Sequence, residues 1–175
     1  MTQPPADQIY LVGFMGAGKS TVGNELAARL GWEFADLDEV LSRREGKGLQ
    51  EIFRDSGEPY FRRVEREVLA SLTAIPRLVV ATGGGTYVAE ENRRLVEAAG
   101  WSVWLEVSLQ EALRRCAGGV GRPLWGGRTE MESLYRYRQE FYRCARVHVN
   151  TEGALPALVA RETLESLHAE GFTRE

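Results

Sequence analysis

Residues 13–21, GFMGAGKST, follow directly on the apolar run IYLV and decide the fold. They match the pattern G-x-x-x-x-G-K-[ST], whose four fixed positions hold Gly13, Gly18, Lys19 and Ser20. Glycines let the backbone curl so that several N–H groups face one anion, and the helix that follows adds its positive N-terminal end. A strand, this loop and a helix in that order predict a phosphate-binding loop rather than a simple turn.

The residue types in the loop assign the nucleotide contacts. Lys19 can reach the β- and γ-phosphates of a bound nucleotide, and the Ser20 hydroxyl can ligate Mg²⁺. We expect the nucleotide to contact Gly16, Ala17, Gly18, Lys19, Ser20 and Thr21. The loop alone leaves the reaction open, because switches, motors and kinases all use it.

Composition narrows the class of protein. The chain has 175 residues, enough for one domain with a sizeable core, and its 43% hydrophobic and 27% charged residues are typical of a globular protein. The net charge of −3 argues against a general nucleic-acid binder. No apolar run approaches the roughly 20 residues that span a bilayer, the N-terminus has no signal-peptide pattern, and the two cysteines form no metal or redox motif. We expect a monomeric cytoplasmic protein without nucleic-acid or membrane partners.

Apolar runs alternate with helical patterns along the chain, which predicts a parallel sheet covered on both faces. The predicted strands are 8–13, 32–38, 77–82, 101–107 and 146–150. The predicted helices are 19–31, two or three within 39–74 with breaks at EGKG and DSGEP, 89–99, 108–116, 130–144 and 155–169. Ligands of such sheets bind beyond the carboxyl ends of the strands, where the glycine loop, two aspartates and a triple glycine fall.

The segment ADLD supplies the carboxylates of the predicted site. The strand at 77–82 ends in Thr82 and not in the aspartate that usually holds Mg²⁺ through water. Asp36 and Asp38 stand two residues apart at the end of another strand, so a period of two puts both side chains on one side. We assign Asp36 to the metal and Asp38 to the acceptor hydroxyl, whose proton it would accept. The alternative is that Asp38 only caps the following helix.

Arginines are the candidate anion-binding side chains. Arg62 lies three residues before Glu65 on one helical face, so that a carboxylate could hold its guanidinium. Arg138 lies on the helix predicted at 130–144, and Arg122 lies in a segment rich in glycine. The planar guanidinium suits carboxylate and phosphate, but most surface arginines are only solvated charges. Spacing alone does not separate Arg62 from its neighbour Arg63.

The chain resembles shikimate kinase nearly from end to end. The matching segments are YLVGFMGAGKSTVG, FADLD, EIFRDSGEPYFRRVE, VVATGGG, GRPL, R-x-x-x-Y and VNT. The phosphate loop is shared by a whole superfamily. The combination of D-x-D, G-E-x-x-F-R-x-x-E, G-G-G and R-P-L is much more specific.

The resemblance implies transfer of the γ-phosphoryl group of ATP to the 3-hydroxyl of shikimate, in aromatic amino-acid biosynthesis. It implies a phosphate-loop kinase of the nucleoside monophosphate kinase type, with a five-stranded parallel sheet flanked by helices. One domain would cover residues 1–175, with a substrate-binding helical section at about 38–74 and a mobile lid at about 117–128.

The resemblance also assigns site residues. The shikimate site would comprise Asp38, Arg62, Gly83, Gly84, Gly85 and Arg138. The catalytic residues would be Asp38, Lys19 and the lid residue Arg122, and Ser20 and Asp36 would hold Mg²⁺. Arg115 would cover the adenine, and Arg122 would also contact the nucleotide. One departure is Asn150, where family members often have an aspartate.

Rival functions are distinguished by motifs. Gluconate kinase or a nucleoside monophosphate kinase would share the fold, but the segment around GEPYFRR follows the shikimate pattern. A GTP-dependent switch would need an N-K-x-D segment, and none occurs. A catalytically inactive relative would be expected to lack Lys19 or Asp38, and the chain has both.

Overall fold

The fold is an α/β layer structure, seen in a computed structural model that describes residues 8–117 and 127–173. Its sheet has the strand order β2-β3-β1-β4-β5, and every pair of neighbours is parallel. The strands are β1 Gln8–Val12, β2 Glu33–Asp36, β3 Leu78–Ala81, β4 Trp101–Glu106 and β5 Val147–Asn150. Each lies inside its predicted range, which confirms the five-stranded parallel sheet.

Helices connect successive strands, and one more helix follows the last strand. They are α1 Lys19–Leu30, α2 Leu37–Glu45, α3 Leu49–Leu72, α4 Glu90–Ala99, α5 Leu109–Ala117, α6 Arg128–Tyr142 and α7 Pro156–Ala169, with a 3₁₀ turn at Thr86–Val88. The helix ends differ from the predicted ones by one or two residues.

The strands β1 and β3 lie in the interior of the sheet, and every one of their residues is buried. The edge strand β5 alternates buried and exposed residues, because only one of its faces is covered by the rest of the molecule. Helix α1 packs against α7 and β3. The phosphate loop, α2 and the triple glycine therefore follow three adjacent strands at one edge of the sheet.

Helix α3 contains the break that the sequence predicted at DSGEP. Gly57 has φ 80° and ψ 170°, a combination that suits glycine, and it interrupts the helical hydrogen bonding. Pro59 is tolerated because it stands in the first turn after this break. The second part of α3 is held in the core by Phe61, Val64 and Val68, which fixes the base of the Arg62 side chain.

Residues 118–126 are not among the described residues. Most of the lid predicted at about 117–128 falls there, and so does the predicted lid residue Arg122. Within 8–117 and 127–173, no helix is both long and apolar enough to cross a membrane.

Candidate active site

The phosphate loop has the backbone that its glycines predicted. Gly13, Gly16 and Gly18 all have positive φ, at 145°, 75° and 91°. Gly18 caps α1, so the loop ends at the positive N-terminus of a helix. The Lys19 ammonium donates to the carbonyl oxygens of Gly13 at 2.8 Å and Phe14 at 2.9 Å, which holds it along the loop.

The Asp36 carboxylate accepts hydrogen bonds both from Ser20 and from the first turn of α2. Its Oδ2 accepts a hydrogen bond from the Ser20 hydroxyl at 2.5 Å, and its Oδ1 accepts from the backbone N–H of Asp38 at 3.0 Å. The second contact makes Asp36 the N-cap of α2. The helix thus holds the carboxylate beside Ser20, at the start of α1.

The two aspartates do not share a strand as the spacing suggested. Strand β2 ends at Asp36, and Asp38 lies in the first turn of α2, because the Asp36 side chain starts the helix at Leu37. The residue that caps the helix is therefore Asp36 and not Asp38. Both aspartates nevertheless line one cavity of about 700 Å³, together with Ser20.

The pair Ser20 and Asp36 fits a magnesium ion that also binds phosphate. Among the described residues, no group of three or more histidine, cysteine or acidic side chains is arranged to hold a metal. Mg²⁺ needs no such cage, since it is commonly held by one or two protein ligands, waters and substrate phosphates. A hydroxyl and a carboxylate oxygen 2.5 Å apart beside the phosphate loop suit that mode.

The triple glycine, Gly83 to Gly85, lets side chains from other elements come close to its backbone. A methyl group on Gly83 would lie 2.9 Å from Asp38 Oδ1, and one on Gly85 would lie 2.6 Å from Arg62 Nη2. None of the three glycines has positive φ, so turn geometry does not require them. Turn geometry alone therefore does not account for these glycines, and the close approach of Asp38 and Arg62 does.

Gly84 meets the third predicted side chain. A methyl group there would lie 3.0 Å from Arg138 Nη1 and 3.9 Å from the carbonyl oxygen of Gly13 in the phosphate loop. Its own carbonyl accepts a hydrogen bond from the buried Tyr142 hydroxyl at 2.5 Å. Burial raises the pKa of Tyr142, while the nearby Arg138 guanidinium opposes that rise.

Arg62 is held by a buried carboxylate, which separates it from Arg63. Its Nη1 donates to Glu65 Oε2 at 2.9 Å, and the Glu65 side chain is only 1% exposed. The other Glu65 oxygen accepts from the Thr86 hydroxyl at 2.7 Å. Burial lowers the pKa of Arg62, but the charges and hydrogen bonds of Glu65 and Glu58 together outweigh it, and the net pKa is raised. Arg63 instead pairs with Glu67 on the exposed face.

Arg115 and the turn after β5 lie beside the phosphate loop. Arg115 lies on the last turn of α5 and donates to the carbonyl oxygen of Gly16 at 3.1 Å. Asn150 accepts a hydrogen bond from the backbone N–H of Glu152 at 2.8 Å. The side-chain oxygen of an aspartate would accept the same bond, so this departure from the family pattern preserves the turn.

Three further residues contact the site although no role was assigned to them from the sequence. Thr86 links the triple glycine to Glu65, Tyr142 holds the Gly84 carbonyl, and the Phe14 ring lies 6.0 Å from the Arg138 guanidinium carbon. Tyr142 is the tyrosine of the R-x-x-x-Y match and stands one helical turn after Arg138, so the sequence did carry a signal for it. Nothing in the sequence marked Phe14 or Thr86.

Comparisons with known proteins agree with this geometry. The family model described as shikimate kinase matches residues 15–168. The shikimate kinase of Persephonella marina is 41% identical over 157 residues, which cover 89% of this chain and 96% of that protein. The structure of shikimate kinase from Acinetobacter baumannii in complex with shikimate has a TM-score of 0.89 at 34% identity, covering 97% of this chain and 100% of that chain.

A gluconokinase shows how far the fold extends. The enzyme from Sinorhizobium meliloti has a TM-score of 0.59 at 22% identity, covering 96% of this chain and 95% of its own, which supports a common fold alone. The family match over residues 15–168 and the 41% identity to the Persephonella marina enzyme are much stronger evidence of relationship than this 22% identity. The chain belongs to the shikimate kinase family.

Proposed function

We propose that the protein transfers the γ-phosphoryl group of ATP to the 3-hydroxyl of shikimate. The acceptor would lie against the triple glycine, and the phosphates of ATP would lie in the loop beside it. Membership of the family supports the reaction. The contacts of the described residues support the assignment of roles.

The observation that carries the proposal is the convergence of three ionic side chains on three consecutive glycines. The Asp38 carboxylate approaches Gly83, the Arg138 guanidinium approaches Gly84 and the Arg62 guanidinium approaches Gly85. Shikimate carries one carboxylate and three hydroxyls, so two guanidinium groups and one carboxylate match its polar groups. A nucleotide base offers no such carboxylate.

In the reaction, the oxygen of the shikimate 3-hydroxyl would bond to the γ-phosphorus while Asp38 accepts the proton of that hydroxyl. The bond between that phosphorus and the bridging oxygen of ADP breaks, and ADP leaves with the electron pair. Arg62 and Arg138 would hold the shikimate carboxylate and so aim the hydroxyl. The buried Glu65 already keeps Arg62 in one conformation, so the Arg62 side chain loses little conformational freedom when substrate binds.

On the nucleotide side, loop N–H groups and Lys19 would bind the β- and γ-phosphates. Ser20 and Asp36 would hold Mg²⁺, which when bound neutralises charge on the phosphates. The capping bonds to α2 fix the direction of the Asp36 carboxylate. The same helix carries Asp38, so one short element orients both the predicted metal ligand and the predicted base.

A substrate panel tests the proposal. The protein would be given Mg²⁺, ATP and either shikimate, gluconate or AMP in an assay that couples ADP release to NADH oxidation. We expect rapid ADP release with shikimate and only background rates with the other two. ADP release that does not depend on shikimate would overturn the proposal, and a preference for gluconate would move the protein to another kinase function.

A further inference from the structure

Arg115 is bonded to three separate parts of the nucleotide site. Its Nε donates to Glu111 Oε1 at 2.8 Å on its own helix α5. Its Nη1 donates to the carbonyl oxygen of Gly16 at 3.1 Å and to the Thr151 hydroxyl at 3.1 Å. Its Nη2 donates to the Thr151 carbonyl oxygen at 2.7 Å.

Each partner of Arg115 is itself fixed. Thr151 is 2% exposed, and both its backbone N–H and its hydroxyl donate to the carbonyl oxygen of Glu106 at 2.9 Å, at the end of β4. Glu111 accepts hydrogen bonds from Arg114 and from Arg115, which in that order lower the pKa of its carboxyl to about 2 and keep it ionised. The guanidinium is thus anchored to the sheet on one side and to α5 on the other.

The bond to Gly16 acts on the phosphate loop itself. Because a peptide unit is planar and trans, holding the Gly16 carbonyl also sets the direction of the Ala17 N–H. That N–H donates to the carbonyl oxygen of Phe14 at 3.2 Å, so the peptide plane is held at both edges. Gly16 has φ 75°, and a methyl group there would lie 2.6 Å from the Ala112 carbonyl oxygen. The loop therefore packs closely against α5 at the same residue to which Arg115 donates its hydrogen bond.

We propose that Arg115, held by Glu111 and Thr151, is a positioning residue that fixes the curve of the phosphate loop through the Gly16 carbonyl. This role is distinct from covering the adenine, which the family resemblance implies for Arg115. It rests on the proposed use of ATP. Glu111 and Thr151 act through Arg115, so their loss should disturb phosphate binding.

Inorganic triphosphate separates the two roles, because it has phosphates and no base. Binding of magnesium triphosphate and of magnesium ATP would be measured by calorimetry for wild type, Arg115→Lys, Glu111→Gln and Thr151→Val. A positioning role predicts that Arg115→Lys weakens both ligands by the same factor, about tenfold, the scale of a lost charge-assisted hydrogen bond. Glu111→Gln and Thr151→Val should each weaken the binding of both ligands by one common factor, and this factor should be smaller than that for Arg115→Lys. Arg115→Lys that weakens ATP and leaves triphosphate unchanged would overturn the proposal.

Arg114→Lys is the matched control. Arg114 neighbours Arg115 and also pairs with Glu111, yet its side chain is 72% exposed. This variant should bind both ligands like wild type. Shikimate affinity should stay at the wild-type value in all the variants, which shows that the acceptor site remains folded.

Hydrogen exchange gives a readout without ligand. Amides of residues 14–18 should exchange faster in Arg115→Lys than in wild type or Arg114→Lys. Unchanged exchange in this segment would also overturn the proposal. Failure of the wild type itself to bind ATP or triphosphate would instead contradict the proposed function, so the two failures are distinguishable.

Discussion

Gly85→Ala tests whether the triple glycine serves close approach. The added methyl group would lie 2.6 Å from Arg62 Nη2 and 2.9 Å from Nη1, distances at which the guanidinium must move. The atoms that move are the end of a flexible side chain, and Gly85 has φ −96°, which alanine accepts. We therefore expect nearly normal folding but a displaced Arg62.

The magnitude follows from the contact that is lost. Arg62 would no longer form a charge-assisted hydrogen bond with the substrate carboxylate, worth about 1.5–3 kcal/mol. The KM for shikimate should rise by roughly 10- to 100-fold, because every 1.4 kcal/mol is tenfold in affinity. The KM for ATP should change little. Coupled assays at varied shikimate and varied ATP measure both constants.

Two comparisons make this prediction sharp. In an Arg62→Ala background, Gly85→Ala should add little, because the group with which it collides is gone. Gly100→Ala is the opposite case, since its methyl group would lie 2.2 Å from the backbone oxygen of Gln8 in β1. That variant should lower the free energy of unfolding by about 1–3 kcal/mol and spare the KM for shikimate. Additive effects of Gly85→Ala and Arg62→Ala would refute the reasoning.

The other predictions concern the base, the carboxylate and acid stability. Asp38→Asn should lower kcat by about 10²-fold or more and leave ATP affinity unchanged in calorimetry, whereas near-normal kcat would remove Asp38 from the chemistry. Arg62→Ala and Arg138→Ala should each weaken shikimate binding, yet hardly affect an analogue without the carboxylate; equal losses for both ligands would contradict that role. Pairing lowers the pKa of Glu111 from about 4.5 to about 2, so this stabilisation is complete above pH 4.5 and is lost as pH falls towards 2. In urea unfolding, the difference between wild type and Glu111→Gln should therefore shrink over that range, and a constant difference would count against the pairing.

Motifs with a strict local geometry were predictable from the sequence. The phosphate loop, the order of strands and helices and the break at Gly57 all follow from glycine positions and apolar periodicity. These features depend on neighbours along the chain. Local propensity is then a sufficient guide.

Features that depend on distant neighbours were not predictable. The sequence placed Asp36 and Asp38 on one strand, but the Asp36 side chain starts α2 by capping it. Spacing did not distinguish Arg62 from Arg63, because only the fold shows that Glu65 is buried beside Thr86. The reason for three glycines likewise appeared only when side chains from three helices were seen to converge on them.

The most direct test of the central claim is phosphorus NMR of the product. The wild-type protein would be incubated with Mg²⁺, ATP and shikimate, with a sample lacking protein as control. We predict one new phosphomonoester signal coupled to the proton on carbon 3 of shikimate, growing in step with ADP. No new phosphomonoester, or one on a different hydroxyl, would contradict the claim that Asp38 and the two guanidinium groups present the 3-hydroxyl to ATP.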